Sequence, residues 1–317
     1  MGRNPIDQQV RTDKVSPLPY GDARKRFVGV FANLPTALTD DGDAIDEMRI
    51  RHHVQWLLDS GVHGVSCLLN SGEFTYLDPD ERERVVRCVV QACGGRIPVI
   101  AGVTGDTTQA SIAFAQAASA AGADVVALQP RSLIPLKPVE VIRHYESVAA
   151  KAGAPIGIYN HPASTGVAIG PKLYGDIVEA SGAVVTKDAS GDLLSIPKIV
   201  NSCGEMMDYL MAEEGLVLAG LAMGARGCCL AMASVFPKEF VSLYGAVDSG
   251  QMDKARSIYN RLIPAFEIFS EIGRPRVVKV VAELRGFPLG GHRSPVLGVT
   301  PAERAHVRRT LEAMEVM

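Results

Sequence analysis

Two residues of this chain carry groups able to do carbonyl chemistry, and each stands at the end of a short apolar run. Lys187 closes Ala183-Val184-Val185-Thr186-Lys187-Asp188, and Tyr159 lies 28 residues earlier in Pro155-Ile156-Gly157-Ile158-Tyr159-Asn160. Runs rich in Val and Ile that stop at polar residues are the pattern of strands buried in a parallel sheet. A lysine there points into whatever lies above the sheet, largely out of water. Desolvation disfavours the ammonium, so the expectation is a lowered pKa and an amine able to attack a ketone. A neighbouring phenol could carry the protons that imine formation requires. A strand-end lysine is also a common surface or salt-bridged residue, so the surrounding elements have to decide.

Those elements are plentiful. The chain has 317 residues, 47% hydrophobic and 21% charged, enough for one large α/β domain or two smaller ones with a substantial core. A net charge of −3 gives no electrostatic case for a nucleic-acid or anionic-membrane partner. The six cysteines, at 67, 88, 93, 203, 228 and 229, form no CxxC pair, and buried thiols in a reducing compartment are expected. Residues 1–26 are polar with three prolines and read as a surface arm, without the apolar core of a secretory signal. They begin Met-Gly but lack the hydroxyl residue of a myristoylation signal. No apolar stretch reaches 18 residues, so a cytoplasmic protein is expected.

From residue 27 onward strand and helix patterns alternate. Strands are predicted over 27–34, 64–69, 98–103, 124–128, 155–159, 184–187, 207–211 and 227–232. Helices are predicted between them over 47–59, 80–91, 107–121, 139–152, 172–180, 194–203 and 215–223. Eight strands joined by helical crossovers make a (β/α)8 TIM barrel, here over residues 27–236. A doubly wound open sheet is the alternative, weakened by the absence of G-x-G-x-x-G after strand one and of any P-loop. Beyond residue 236 the pattern is all helical, over 238–248, 252–269, 276–285 and 301–315, and predicts a C-terminal helical extension.

In such a barrel the working residues stand at the C-terminal ends of strands. Those ends offer Asn70, Ser71 and Glu73, then Tyr159 and Asn160, then Lys187 and Asp188, then Glu213 and Glu214. A lysine, a tyrosine, hydroxyls and carboxylates on one rim can form an imine, although any barrel carries polar residues where strands meet loops.

The sequence resembles the dihydrodipicolinate synthase / N-acetylneuraminate lyase family of class I Schiff-base lyases, from about Phe27 to the C-terminus. The resemblance rests on Leu69-Asn70-Ser71-Gly72-Glu73 for G-[ST]-[ST]-G-E, Tyr159-Asn160-His161-Pro162 for Y-N-x-P and Lys187-Asp188-Ala189-Ser190-Gly191-Asp192 for K-D-x-[ST]-G-D. Gly224-Ala225-Arg226-Gly227 matches G-A-x-G before strand eight. The resemblance implies that Lys187 attacks the C2 carbonyl of a 2-oxo acid such as pyruvate and that Tyr159 shuttles protons. It implies further that Ser71 and nearby backbone N–H groups hold the substrate carboxylate, with Gly72 letting the backbone approach. It implies no cofactor and no metal, and a homotetramer built as paired dimers.

The departures from the family pattern point to a substrate other than that of the lysine-biosynthesis members. Asn70 replaces the first hydroxyl of the motif, part of a proton relay with the tyrosine, and Leu69 replaces its opening glycine. The arginine that grips the second substrate's carboxylate is here Ser164. The tyrosine contributed across a subunit interface is missing from Pro130-Arg131-Ser132. Serine at 164 resembles members acting on hydroxylated 2-oxo acids, and Gly72-Glu73-Phe74-x-x-Leu77 resembles hydroxy-oxoglutarate aldolases.

Remaining candidates have ordinary readings beside functional ones. Glu213 could bond a substrate hydroxyl or be a rim charge, and His161 could contact substrate. Arg131 could bind a distal carboxylate or stay solvated. Cys228 and Cys229 alternate to opposite faces of a strand, where packing is expected, with Cys229 kept among the candidate substrate contacts. His52 and His53 lack partners at metal-ligand spacing, and Lys279 falls in the helical extension with a structural role. The expected function is Schiff-base aldol cleavage, condensation or dehydration of a 2-oxo acid, with pyruvate as the expected product. Dihydrodipicolinate synthase activity, a non-catalytic 2-oxo-acid binder and a metal-dependent aldolase are the rivals.

Overall fold

The computed structural model describes residues 27–316, and the sequence-predicted arm, residues 1–26, lies outside them. Eight short strands pair in chain order, all parallel, until the last returns to the first and closes the barrel. They are β1 (Gly29–Asn33), β2 (Gly64–Cys67), β3 (Val99–Gly102), β4 (Val125–Leu128), β5 (Ile156–Asn160), β6 (Val185–Asp188), β7 (Asp208–Met211) and β8 (Gly227–Leu230). Every strand residue is buried, because interior side chains fill the barrel while outward ones meet a ring of helices.

The helices over the barrel are α1 (Glu47–Asp59), α2 (Pro79–Cys93), α3 (Thr108–Ala120), α4 (Pro138–Ala149), α5 (Pro162–Thr165), α6 (Pro171–Ser181), α7 (Ser195–Cys203) and α8 (Val217–Ala222). Then come α9 (Pro237–Asp248), α10 (Met252–Ile272), α11 (Arg274–Leu284) and α12 (Pro301–Ala313). Several start where local chemistry dictates. Asp78 caps α2 with a reciprocal bond to Glu81, and Thr300 does the same for α12 with Glu303. Among the described residues no helix is long and apolar enough to cross a membrane, and all six cysteines are free thiols.

Three differences from the sequence-predicted elements fall at the barrel mouth. Strand two stops at Cys67 rather than 69, and 3-10 turns at Asn70–Gly72 and Phe74–Tyr76 follow. Leu68 and Glu73 take positive φ there, 57° and 53°, a conformation that non-glycine residues adopt only when their surroundings impose it. The predicted helix at 215–223 begins as a 3-10 turn at Glu214–Leu216. The predicted helix at 276–285 starts two residues earlier, at Arg274. Gly273, at φ 102°, is the hinge: it ends α10 and lets α11 begin at once, and Pro275 suits the first turn. The hinge and the early start carry Arg274 to the barrel mouth.

Candidate active site

Tyr159 and Lys187 are direct partners in the β5–β6 register, as are Asn160 and Asp188 one residue further on. Alternation then sorts the four side chains. Tyr159 joins the apolar cluster of the barrel interior, with Phe31, Ile100, Leu210 and Cys229. Asn160 and Asp188 bind each other and the helical layer instead. Asn160 Nδ2 donates to Asp188 Oδ2 at 2.8 Å, Tyr174 Oη on α6 donates to the same oxygen at 2.6 Å, and Ser190 N and Oγ donate to Oδ1. The Asn and Asp that follow Tyr159 and Lys187 are therefore struts that fix the two strands.

Lys187 is 6% exposed and Tyr159 1%, with Nζ 4.3 Å from the centre of the phenol ring. Burial pulls the lysine pKa down, but Tyr159, Cys229 and Glu214 around it pull harder the other way, and the net direction is upward. The lowered pKa expected from burial alone is thus corrected: acidic neighbours hold the resting amine as an ammonium. Burial pushes the Tyr159 phenol up, opposed by Lys187.

The pair forms the floor of a chamber of about 100 Å³, whose walls include Asn33, Ser71, His161, Glu214 and Arg274. A wider chamber of about 410 Å³ shares Asn70 and Pro275 with it and adds Gln129, Arg131, Ser164 and Arg276. Here Asn70 Nδ2 donates to Ser164 Oγ at 3.2 Å, and Gln129 Nε2 donates to Asn70 Oδ1 at 3.4 Å. Ser164 Oγ reaches Gln129 Oε1 at 3.5 Å, closing a triangle. Both ends of the Asn70 amide are engaged in this triangle rather than with Tyr159.

Several sequence candidates land elsewhere. Cys229 is fully buried in the barrel interior against Ser66 Oγ at 3.2 Å and does not line the chamber. Gly72 is also absent from its lining; a Cβ there would sit 3.3 Å from the Leu34 carbonyl just past β1, so a side chain would press on that backbone. Glu213 is taken up by Arg274 Nη2 at 2.5 Å, while Glu214 is the carboxylate on the chamber wall. Glu214 Oε1 accepts from Ala231 N, and its Oε2 lies 3.2 Å from Arg274 Nη2. Arg131 pairs with Asp106 at 3.5 Å on the wall of the outer chamber. His53 packs against the Ser234 carbonyl, with Nε2 at 2.6 Å, and no cluster of metal-ligating side chains occurs among the described residues.

Lys279 is buried beneath the site. Its Nζ lies 3.2 Å from Glu73 Oε1 and 2.5 Å from the Gly291 carbonyl, and His292 Nδ1 sits 3.1 Å from both Glu73 oxygens. These bonds tie the 70–73 turn to the C-terminal helices. Asn33, Gln129 and Arg274 are the site residues that sequence reading missed. Asn33 closes β1 and Gln129 follows β4, but Arg274 comes from the helical extension, for which the strand-end rule gives no signal.

An amine beside a phenol at the mouth of a closed (β/α)8 barrel is able to form an imine with a carbonyl compound. The model of the dihydrodipicolinate synthetase family matches residues 26–314. An uncharacterised DapA-like lyase of Halobacterium salinarum is 33% identical over 289 residues, covering 90% of this chain and 94% of its own. A 4-hydroxy-tetrahydrodipicolinate synthase of Pelobacter propionicus is 30% identical over 279 residues, covering 88% and 96%. The crystal structure of a putative dihydrodipicolinate synthetase from Pseudomonas aeruginosa superposes with a TM-score of 0.87 at 28% identity, over 90% of this chain and 99% of that one. The chain belongs to the dihydrodipicolinate synthetase family and is a class I aldolase/lyase.

Proposed function

We propose that the protein cleaves, condenses or dehydrates a 2-oxo acid through an imine on Lys187, with Tyr159 as acid and base and pyruvate as the product in the cleavage direction. The observation that carries this reading is the register pairing of the two residues, with Nζ 4.3 Å from the phenol ring on the floor of the inner chamber. The ammonium passes a proton by way of Tyr159 to the carbonyl oxygen as the amine attacks C2. Tyr159 protonates the carbinolamine hydroxyl, which leaves as water. The resulting iminium accepts the electron pair released at C3, so the bond between C3 and its substituent can break. Ser71 and the backbone N–H groups of Asn70 and Ser71 receive the carboxylate, replacing its water with fixed donors, while the Gly72 N–H stays bonded to the Leu69 carbonyl.

The substrate tail lies in the outer chamber. Ser164, Asn70 and Gln129 offer hydroxyl and amide groups there, which suits a hydroxylated tail. Serine at 164, where the synthases carry an arginine, argues against aspartate semialdehyde as second substrate; turnover of pyruvate with that aldehyde would restore the synthase reading. We also propose a cytoplasmic homotetramer of paired dimers. Fully exposed Leu133 and 70%-exposed Ile134 support the burial of that loop by another subunit.

The test is incubation with pyruvate, reduction with borohydride, intact mass and peptide mapping. A pyruvyl adduct on the peptide carrying Lys187, absent in Lys187→Ala, is the expected result. Failure of every 2-oxo acid to label Lys187 would refute the imine and leave a non-catalytic binder.

A further inference from the structure

The scheme above leaves one ring of the inner chamber without a task. His161 directly follows β5 and lines the chamber beside Tyr159, edge-on, with ring centroids 5.8 Å apart. Its Nδ1 is buried and has no hydrogen-bond partner among the described residues. A buried nitrogen without a partner is costly, and a polar atom kept in that state beside Lys187 calls for an explanation.

The proton inventory supplies one. The first hydroxyl of the family's relay is Asn70 here, and its amide is committed to Ser164 and Gln129. Tyr159 would then have to handle both the oxygen leaving C2 and the proton at C3. Burial pushes its pKa up, so as a phenol it is a weak base near neutrality. The imidazole differs. Tyr159 from β5, Lys187 from β6, Glu213 after β7 and Arg274 from α11 surround it. Burial first, then Lys187, lower its pKa; its own backbone pulls the other way, Arg274 lowers it further, and Glu213 gives a smaller upward pull, for a net downward shift. It is neutral and able to accept a proton at physiological pH.

We propose that His161 is the acid/base that moves the proton at C3 of the Lys187-bound 2-oxo acid, leaving Tyr159 to the oxygen chemistry at C2. The assignment rests on the Schiff-base reading. The neutral imidazole takes a C3 proton from the iminium. The C–H electron pair becomes the C2=C3 bond, and the C=N pair moves onto Nζ, giving a neutral enamine and an imidazolium. In cleavage, the imidazole first takes the C4 hydroxyl proton as the aldehyde forms, then delivers it to C3 of the enamine. Hydrolysis of the iminium releases pyruvate.

The test needs only pyruvate, because enamine formation exchanges its methyl protons with solvent. Loss of the methyl signal in D2O is followed by NMR for the wild type, His161→Asn and His161→Gln, alongside borohydride trapping. The wild type is expected to trap and to exchange, with exchange falling on the acid side as a group titrates below 6.5. Both variants are expected to trap on Lys187 yet exchange on the order of 100-fold more slowly, without that acid limb. Exchange near the wild-type rate in a variant that still traps would overturn the proposal. So would loss of trapping in both variants, which would place His161 in imine formation itself. Absence of trapping in the wild type would instead remove the Schiff-base reading, and this assignment with it.

Discussion

Lys279→Met should destabilise the protein by about 3–5 kcal/mol, although the residue lies outside the reactive pair. Lys279 and Glu73 have side chains 3% and 5% exposed, with Nζ 3.2 Å from Oε1. At an effective dielectric of about 20, two unit charges at that separation attract by about 5 kcal/mol. Removing one partner of a buried pair leaves an uncompensated charge and costs about 3–5 kcal/mol. His292 Nδ1 remains 3.1 Å from both carboxylate oxygens and offsets part of this, while the Gly291 carbonyl loses its lysine donor. Adding Glu73→Gln removes the stranded charge, so the double variant should lose less than the two single variants summed. Urea unfolding followed by circular dichroism gives the stabilities. Pyruvate trapping reports on the site, because Glu73 anchors the turn that carries Ser71. A loss below about 1 kcal/mol for Lys279→Met, the range of an exposed ion pair, would refute the argument.

Glu214→Gln removes a carboxylate that raises the Lys187 pKa, so the pH at which borohydride trapping reaches half its maximum should move down; an unchanged midpoint would mean that Glu214 does not hold the ammonium. Burial raises the Asp208 carboxyl from 3.8 to about 6, partly offset by Arg226. A raised folded-state pKa gives stability that is full below 3.8 and lost as pH rises through about 6. Asp208→Asn should therefore melt higher than the wild type at pH 7–8, with the difference closing as the pH falls toward 4. His53 has the opposite sign: burial lowers it from 6.5 to about 4, partly offset by the Ser234 carbonyl, so its contribution is present above 6.5 and lost as pH falls through 4. That shift corresponds to about 3 kcal/mol, and His53→Gln should flatten the acid side of a Tm-against-pH curve.

The barrel was legible because its signals are local. Val- and Ile-rich runs, Gly and Pro breaks and capping residues such as Asp78 and Thr300 mark each element within a few residues of its place. The spacing from Tyr159 to Lys187 was equally readable, since it spans one β-α-β unit whose register sets the two residues side by side. The mouth of the barrel was less so. Leu68 and Glu73 adopt positive φ because packing imposes it, and no local preference announces that.

The sequence by itself determined the strand count, the pairing of Tyr159 with Lys187 and the rim on which polar side chains collect, because each follows from periodicity and from groups within one segment. Only the tertiary structure decided the charge around the pair. Tyr159, Cys229 and Glu214 together outweigh the effect of burial on Lys187, Arg274 arrives from a helix 87 residues further on, and Lys279 meets Glu73 across the same extension. Electrostatic interactions depend on distance in space and on the water excluded between groups, and neither quantity is written in the order of residues along the chain.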